Sequence, residues 1–173
     1  MVPKTSIMKT ITVEPVGSMG YKVLLNDTET ATITYPKWYS MTADLDLMGN
    51  CYTIRGRGFW QTVQEVKKDG RVLLEGRYEW KGLELSRPND AGRPYLLKHK
   101  GFWGGAYALA DHKGSELLTI TSDFNWKKIR SNYNIACADG FGDDEFEMLL
   151  ILVTVHYYGM YRASAASTGT ATA

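Results

Sequence analysis

The chain has 173 residues, 44% hydrophobic and 23% charged, with a formal charge of +1. That length and balance fit one globular domain that buries its own core without disulfide or metal staples. The near-zero charge excludes a global field able to recruit nucleic acid or an anionic membrane, so any such partner needs a local patch.

The opening stretch, MVPKTSIMKTITVEP, has no apolar h-region and no small-residue cleavage site, so a non-secreted, cytoplasmic chain is expected. From Ile7 to Asp139 the pattern is one of short strands: ITVEPV, YKVLLN, TATITY, NCYTIRGR, WQTVQEVK, RVLLEGRYEW, LELS, PYLLKHKG, AYALAD, ELLTIT and NYNIACA. Many alternate apolar with polar residues, as half-buried strands require. In TATITY, Ala31, Ile33 and Tyr35 point one way and Thr32 and Thr34 the other.

Asp69-Gly70 separates two β-rich runs and reads as a type I′ hairpin turn, which needs positive φ at both central residues. Lys81-Gly82 and Lys113-Gly114-Ser115 read as further turns. Turn signals every 8–12 residues or so predict an antiparallel sandwich or barrel. No long helical pattern intervenes, which argues against a parallel βαβ fold. The Gly-rich GFWGGAY lacks the Lys-Ser/Thr of a phosphate-binding loop and reads as a tight corner between strands. Cys51 and Cys137 form no CxxC pair and sit at no zinc-like spacing from a His. Two free thiols in a reducing compartment are expected, with a bridge between them as the alternative.

The C-terminal segment differs. From Phe146 to Tyr161 the chain is almost wholly apolar, with Thr154 and His156 as the polar breaks after Glu147. A helix that is apolar all round is buried in lipid or in a core. Asp143, Asp144 and Glu145 complement the positive end of its dipole, and Asp144 with Glu147 resembles a capping box. Arg162 lies where the C-terminal end is expected, and a cation is favoured there. A spanning helix needs about 20 predominantly apolar residues, and this run falls short while containing His156. A helix over about 143–162, threaded through a barrel, is therefore expected, with a tail anchor as the alternative. Residues 1–165 form the expected domain and 166–173 a flexible tail.

Three stretches carry a family resemblance. YALADHKGSELLTI pairs a short apolar strand with a D-x-x-G turn. FNWKKIRSNYNIACADG follows with a Tyr-centred strand. CADGFGDDEFEMLLILV then leads into the helix. In this order the chain resembles the tubby C-terminal-like superfamily, which includes the phospholipid scramblases and the LURP-one-related proteins. Ala138, Asp139, Phe141 and Gly142 match the scramblase run D-A-D-N-F-G, whereas Gly140 replaces its Asn and Cys137 its first Asp. The resemblance implies a closed antiparallel β-barrel of about twelve strands surrounding a hydrophobic C-terminal helix.

Function expected on this basis is non-enzymatic: binding of membrane lipid headgroups or of a protein partner, in the cytoplasm or on the inner membrane face. A tail-anchored scramblase-like protein and an enzyme with a site on the barrel rim are the alternatives. The scramblase likeness implies calcium at Asp139, Asp143 and Asp144, against a reading in which these acids serve the helix start. Tubby-like phosphoinositide binding implies a basic patch, for which Lys98, Lys100, Lys127, Lys128 and Arg130 are the candidates. The histidines His99, His112 and His156 sit in no catalytic motif, and His156 is expected in the core. The tryptophans Trp38, Trp60, Trp80, Trp103 and Trp126 read as core or rim anchors without a nucleic-acid-binding signature.

Overall fold

Alternation of apolar and polar side chains builds twelve strands, each turning one face inward. In the computed structural model, which describes residues 9–37, 41–101, 105–123 and 131–168, they are β1 (Thr10–Val16), β2 (Gly20–Leu25), β3 (Thr28–Thr34), β4 (Ala43–Leu47), β5 (Asn50–Arg57), β6 (Val63–Lys68), β7 (Arg71–Glu79), β8 (Gly82–Arg87), β9 (Asp90–Lys100), β10 (Ala106–Ala110), β11 (Glu116–Ser122) and β12 (Tyr133–Cys137). One helix, α1 (Glu145–Thr168), follows them. Each strand pairs antiparallel with its neighbours in the chain. β1 also pairs with β12, Ile11 opposite Ile135 and Val13 opposite Tyr133, which closes the sheet and removes its edges.

Strand β4 is absent from the eleven runs expected above. Its sequence ADLDL alternates fully, with Ala43, Leu45 and Leu47 inside and Asp44 and Asp46 outside. Asp is a poor strand former. Here Asp44 accepts a hydrogen bond from Arg55 on β5 at 2.5 Å, and Asp46 Oδ1 accepts the Gly49 N–H at 3.0 Å. Partners supply what propensity lacks.

α1 fills the barrel. Every residue from Met148 to Tyr158 is buried, and Leu150, Ile151, Leu152, Val153, Thr154, Val155 and His156 have no exposed surface. Each large apolar side chain so buried contributes roughly 1.5–3 kcal/mol, which is why this segment tolerates no polar face. The buried stretch rises only about 16 Å, roughly half of a bilayer's hydrocarbon thickness. Among the described residues no helix is long and apolar enough to cross a membrane. Room for α1 is made partly by glycine. A Cβ on Gly76 would lie 2.6 Å from Tyr157 Oη, so only glycine there admits the phenol.

The strand connections alternate between two ends of the barrel. The turns β2–β3, β4–β5, β6–β7, β8–β9 and β10–β11 lie at the end where α1 begins, called here the near mouth. The other connections lie at the far mouth, where Tyr158 Oη donates to Gly105 O at 2.8 Å as α1 leaves. At the near mouth Asp144 caps α1, its Oδ1 accepting the Glu147 N–H at 2.8 Å. The Glu147 carboxylate reaches back to the N–H groups of Gly142 and Asp143, not to that of Asp144 as a standard capping box would. The C-terminal expectation is corrected. α1 continues to Thr168, so Arg162 lies inside it, its guanidinium 6.0 Å from the Tyr158 ring, and residues 166–168 are helical; 169–173 lie outside the described residues.

Candidate functional site

The far mouth has an unusual surface. Among the described residues, the large apolar side chains left strongly exposed are Val16, Met19, Met48, Phe59, Trp60, Tyr78, Trp80 and Tyr161. All but Met48 belong to the far mouth: Val16 and Met19 flank the β1–β2 turn, Phe59 and Trp60 join β5 to β6, Tyr78 and Trp80 lie at the β7–β8 hairpin, and Tyr161 is where α1 exits.

Local structure forces the aromatics outward. The Gln61 N–H donates to Gly58 O at 3.3 Å, closing a turn whose central residues are Phe59 and Trp60. Gln61 folds back over Gly56, where an added Cβ would meet its side chain at 2.8 Å. Gln64 Nε2 donates to Gln61 O at 3.3 Å and holds the turn from below. Phe59 and Trp60 pack edge to face, 5.1 Å between centroids, and are 90% and 82% exposed. In the next hairpin along the rim Glu79 pairs with Gly82, so Trp80 and Lys81 form a two-residue tip. Trp80 is 90% exposed, with Lys81 Nζ 5.8 Å from its ring centre. Turn tips ordinarily carry Gly, Asn, Asp, Pro or Ser, whose backbone chemistry suits them. Phe-Trp and Trp-Lys have no such reason to be there.

Beneath the rim lies a floor of rings. Tyr107 packs on Tyr161 at 4.8 Å and on Tyr158 at 5.6 Å, and Tyr157 meets Tyr78 edge to face at 6.0 Å. Tyr21 and Tyr133 share a hydroxyl–hydroxyl hydrogen bond of 2.9 Å. Deeper, His156 stacks on Tyr35 with Nδ1 3.3 Å from its hydroxyl. Burial lowers the His156 pKa to about 4, against a smaller opposing pull from the Met41 backbone, and burial raises the phenols of Tyr107, Tyr133 and Tyr157. The floor is built of aromatic rings, with the Arg162 guanidinium beside it, 6.0 Å from the Tyr158 ring.

The candidate acids fall at the near mouth and do not converge. Asp143 pairs with Lys9, whose Nζ also donates to Gly142 O at 3.2 Å; Asp144 caps the helix; Asp139 is exposed in the connection before it. Calcium takes six to eight oxygens, and these three carboxylates, two of them already engaged, do not fit such a site. Among the described residues no group of three or more His, Cys, Asp or Glu side chains is placed to hold a metal ion. Beside them Glu145 accepts hydrogen bonds from Tyr52 and, at 2.9 Å, from Lys68, which hold its carboxyl below the usual range.

Of the candidate basic patch, Lys98 and Lys100 share the outer face of β9, and Lys100 Nζ is engaged by Glu116 at 2.6 Å and Thr119 Oγ1 at 3.2 Å. Lys127, Lys128 and Arg130 lie outside the described residues, as do Trp38, Trp103 and Trp126. Both cysteines are free thiols: Cys51 is exposed, whereas Cys137 is buried in the barrel, where burial pushes its pKa up to about 11. Sequence reasoning left Trp60 and Trp80 as either core or rim anchors and did not single out Phe59. The signal that finds them is an aromatic residue at a turn centre. No protein-family model, curated protein or solved structure matches the chain.

Proposed function

We propose that this domain is a binding module, not a catalyst, and that it associates with a lipid membrane surface through the far mouth. The observation that carries the reading is the collection of exposed large apolar side chains on that one rim, around a core that α1 fills. Large apolar side chains gathered in solvent at one end of an otherwise well-buried domain mark a place of interaction. Aromatic side chains with a polar edge concentrate where one side is apolar and the other wet, as in the headgroup layer of a bilayer. The described tryptophans Trp60 and Trp80 meet that description, and in the sequence the other three fall in the segments joining β3 to β4, β9 to β10 and β11 to β12. The expected position is peripheral, on the cytoplasmic face of a membrane.

The closed twelve-stranded wall and its central helix also support membership of the tubby C-terminal-like superfamily, which we include in the proposal. Flotation with vesicles of phosphatidylcholine alone, and of phosphatidylcholine mixed with phosphatidylserine, a phosphoinositide or cardiolipin, tests the function. Co-migration with at least one composition is expected. Protein left at the bottom of every gradient removes the reading.

A further inference from the structure

The membrane reading leaves open what holds the domain there: attraction of cations to anionic headgroups, or entry of side chains into the bilayer interface. We infer that Phe59, Trp60 and Trp80 insert into the interfacial layer, and that this layer is bound even when its lipids carry no net charge. The inference rests on the proposed membrane association and adds its mechanism.

Charge is the first argument. Among the described residues, the guanidinium groups at the feet of these two tips, Arg57 and Arg77, are committed within the barrel wall, whereas Lys81 Nζ lies 5.8 Å from the Trp80 ring centre and faces that ring, not a carboxylate. Arg57 Nη1 lies 3.0 Å from Glu65 and 2.8 Å from Glu75. Arg77 lies 3.1 Å from Glu75, and Lys67 2.6 Å from Glu65. Glu65 is buried beneath them, and Lys67 and Arg57 hold its carboxyl below the usual range despite that burial. Taking Arg57 for a lipid phosphate would strip the ionised Glu65 and Glu75 of a partner. Three cations against two carboxylates leave this network a net charge of +1, a weak attraction for an anionic headgroup.

Shape is the second. Side chains 82–90% exposed touch almost nothing of their own protein. They project from a rim instead of lining a groove. A protein partner would have to supply pockets around each of them, whereas a fluid layer envelops a projecting indole from all sides. The two tips stand on neighbouring connections, about 10 Å apart by strand spacing, and so reach one plane together. Lys81 fits the same medium: its Nζ lies 5.8 Å from the Trp80 ring centre, and a long flexible stem lets such an ammonium remain at headgroup level while the indole goes deeper.

The test compares the full chain with Trp60→Ala, Trp80→Ala and the double variant on vesicles of pure phosphatidylcholine, and again with phosphatidylserine added, at low and high salt. Lipids brominated at defined depths report insertion by quenching tryptophan fluorescence. The wild type is expected to bind pure phosphatidylcholine, with less than about threefold change on adding anionic lipid or salt. Each alanine is expected to weaken binding roughly tenfold and both together roughly a hundredfold, with loss of shallow-depth quenching. Trp60→Phe/Trp80→Phe should retain part of the affinity, and unchanged thermal unfolding shows that the variants fold. Binding that requires anionic lipid, collapses in salt and ignores both alanines overturns the insertion while sparing the membrane reading. Absence of binding to any vesicle removes both. Should the same alanines then abolish self-association in sedimentation, the occupant of the rim is a second copy of the chain.

Discussion

The two mouths of this barrel are built from the same kind of hairpin and finished in opposite chemistry. At the near mouth three of the five tips are Asn26-Asp27, Met48-Gly49 and Asp69-Gly70, all at positive φ, as type I′ hairpin turns require. The D-x-x-G turn between β10 and β11 behaves likewise: Asp111 Oδ1 accepts the N–H groups of Lys113 and Ser115 at 2.9 and 2.8 Å. The charged groups there are used on the protein itself, as Lys9 meets Asp143 and Lys68 and Tyr52 meet Glu145 to fix the start of α1. The far mouth places aromatics at turn centres and leaves them in water. One mouth is explained by folding. The other is not, and residues that folding does not explain are the ones to ask about function.

The comparison breaks first if α1 does not tie the mouths together. Leu150, at mid-helix, has no exposed surface. Leu150→Ala is expected to cost about 2–5 kcal/mol in chemical denaturation, with the slope unchanged. A loss below about 1 kcal/mol means the helix is not packed in the barrel.

Next in size is acid. The His156 pKa falls from its ordinary 6.5 to about 4 because the folded ring is buried. Between those values the unfolded chain binds a proton that the folded chain refuses. The contribution of His156 is therefore complete above about pH 6.5 and lost as pH falls toward 4, by about 3 kcal/mol in all. Unfolding free energies measured across that window, in wild type and His156→Gln, should diverge at neutral pH and converge in acid. Parallel curves mean that the His156 ring is not shielded as its 0% exposure implies.

Much of this was legible beforehand. Alternation exposed eleven strands because each inward position had to be apolar. The all-apolar run exposed α1 because a helix inside a barrel has no solvent side, and the cap at Asp144 followed from charge. What escaped did so for physical reasons. β4 carries two aspartates whose support comes from Arg55 and Gly49 across the turn, and such partners appear only once the strands are paired. The end of α1 escaped because Ala163, Ala165 and Ala166 continue a helix as readily as they end one. The aromatic rim was legible in principle. The five tryptophans recur every 20–23 residues, the length of one hairpin, so that each falls in alternate connections. For the described pair, Trp60 and Trp80, that spacing marks one mouth; Trp38, Trp103 and Trp126 lie outside the described residues.

Smaller effects separate the mouths most cleanly. Asp144→Ala removes the cap of α1 and is expected to cost about 1 kcal/mol, whereas Asp139→Ala, at an exposed carboxylate that serves neither cap nor ion pair here, should stay within about 0.5 kcal/mol of wild type. If both variants cost the same, the acids act together and the capping account of the near mouth fails.

The smallest expected effect on stability is the most telling. Trp60 and Trp80 bury so little that truncating either to alanine should shift the unfolding free energy by no more than about 0.5 kcal/mol. A tryptophan retained for packing costs about 3–5 kcal/mol to truncate, so the two outcomes are well separated. Thermal and urea unfolding of the single and double variants, in buffer without lipid, measures it. A loss of 2 kcal/mol or more would place the indoles in the fold, and the far mouth would need no partner to account for them. Stability held constant leaves exposed indoles that the fold does not require, at the rim where the membrane reading puts the contact.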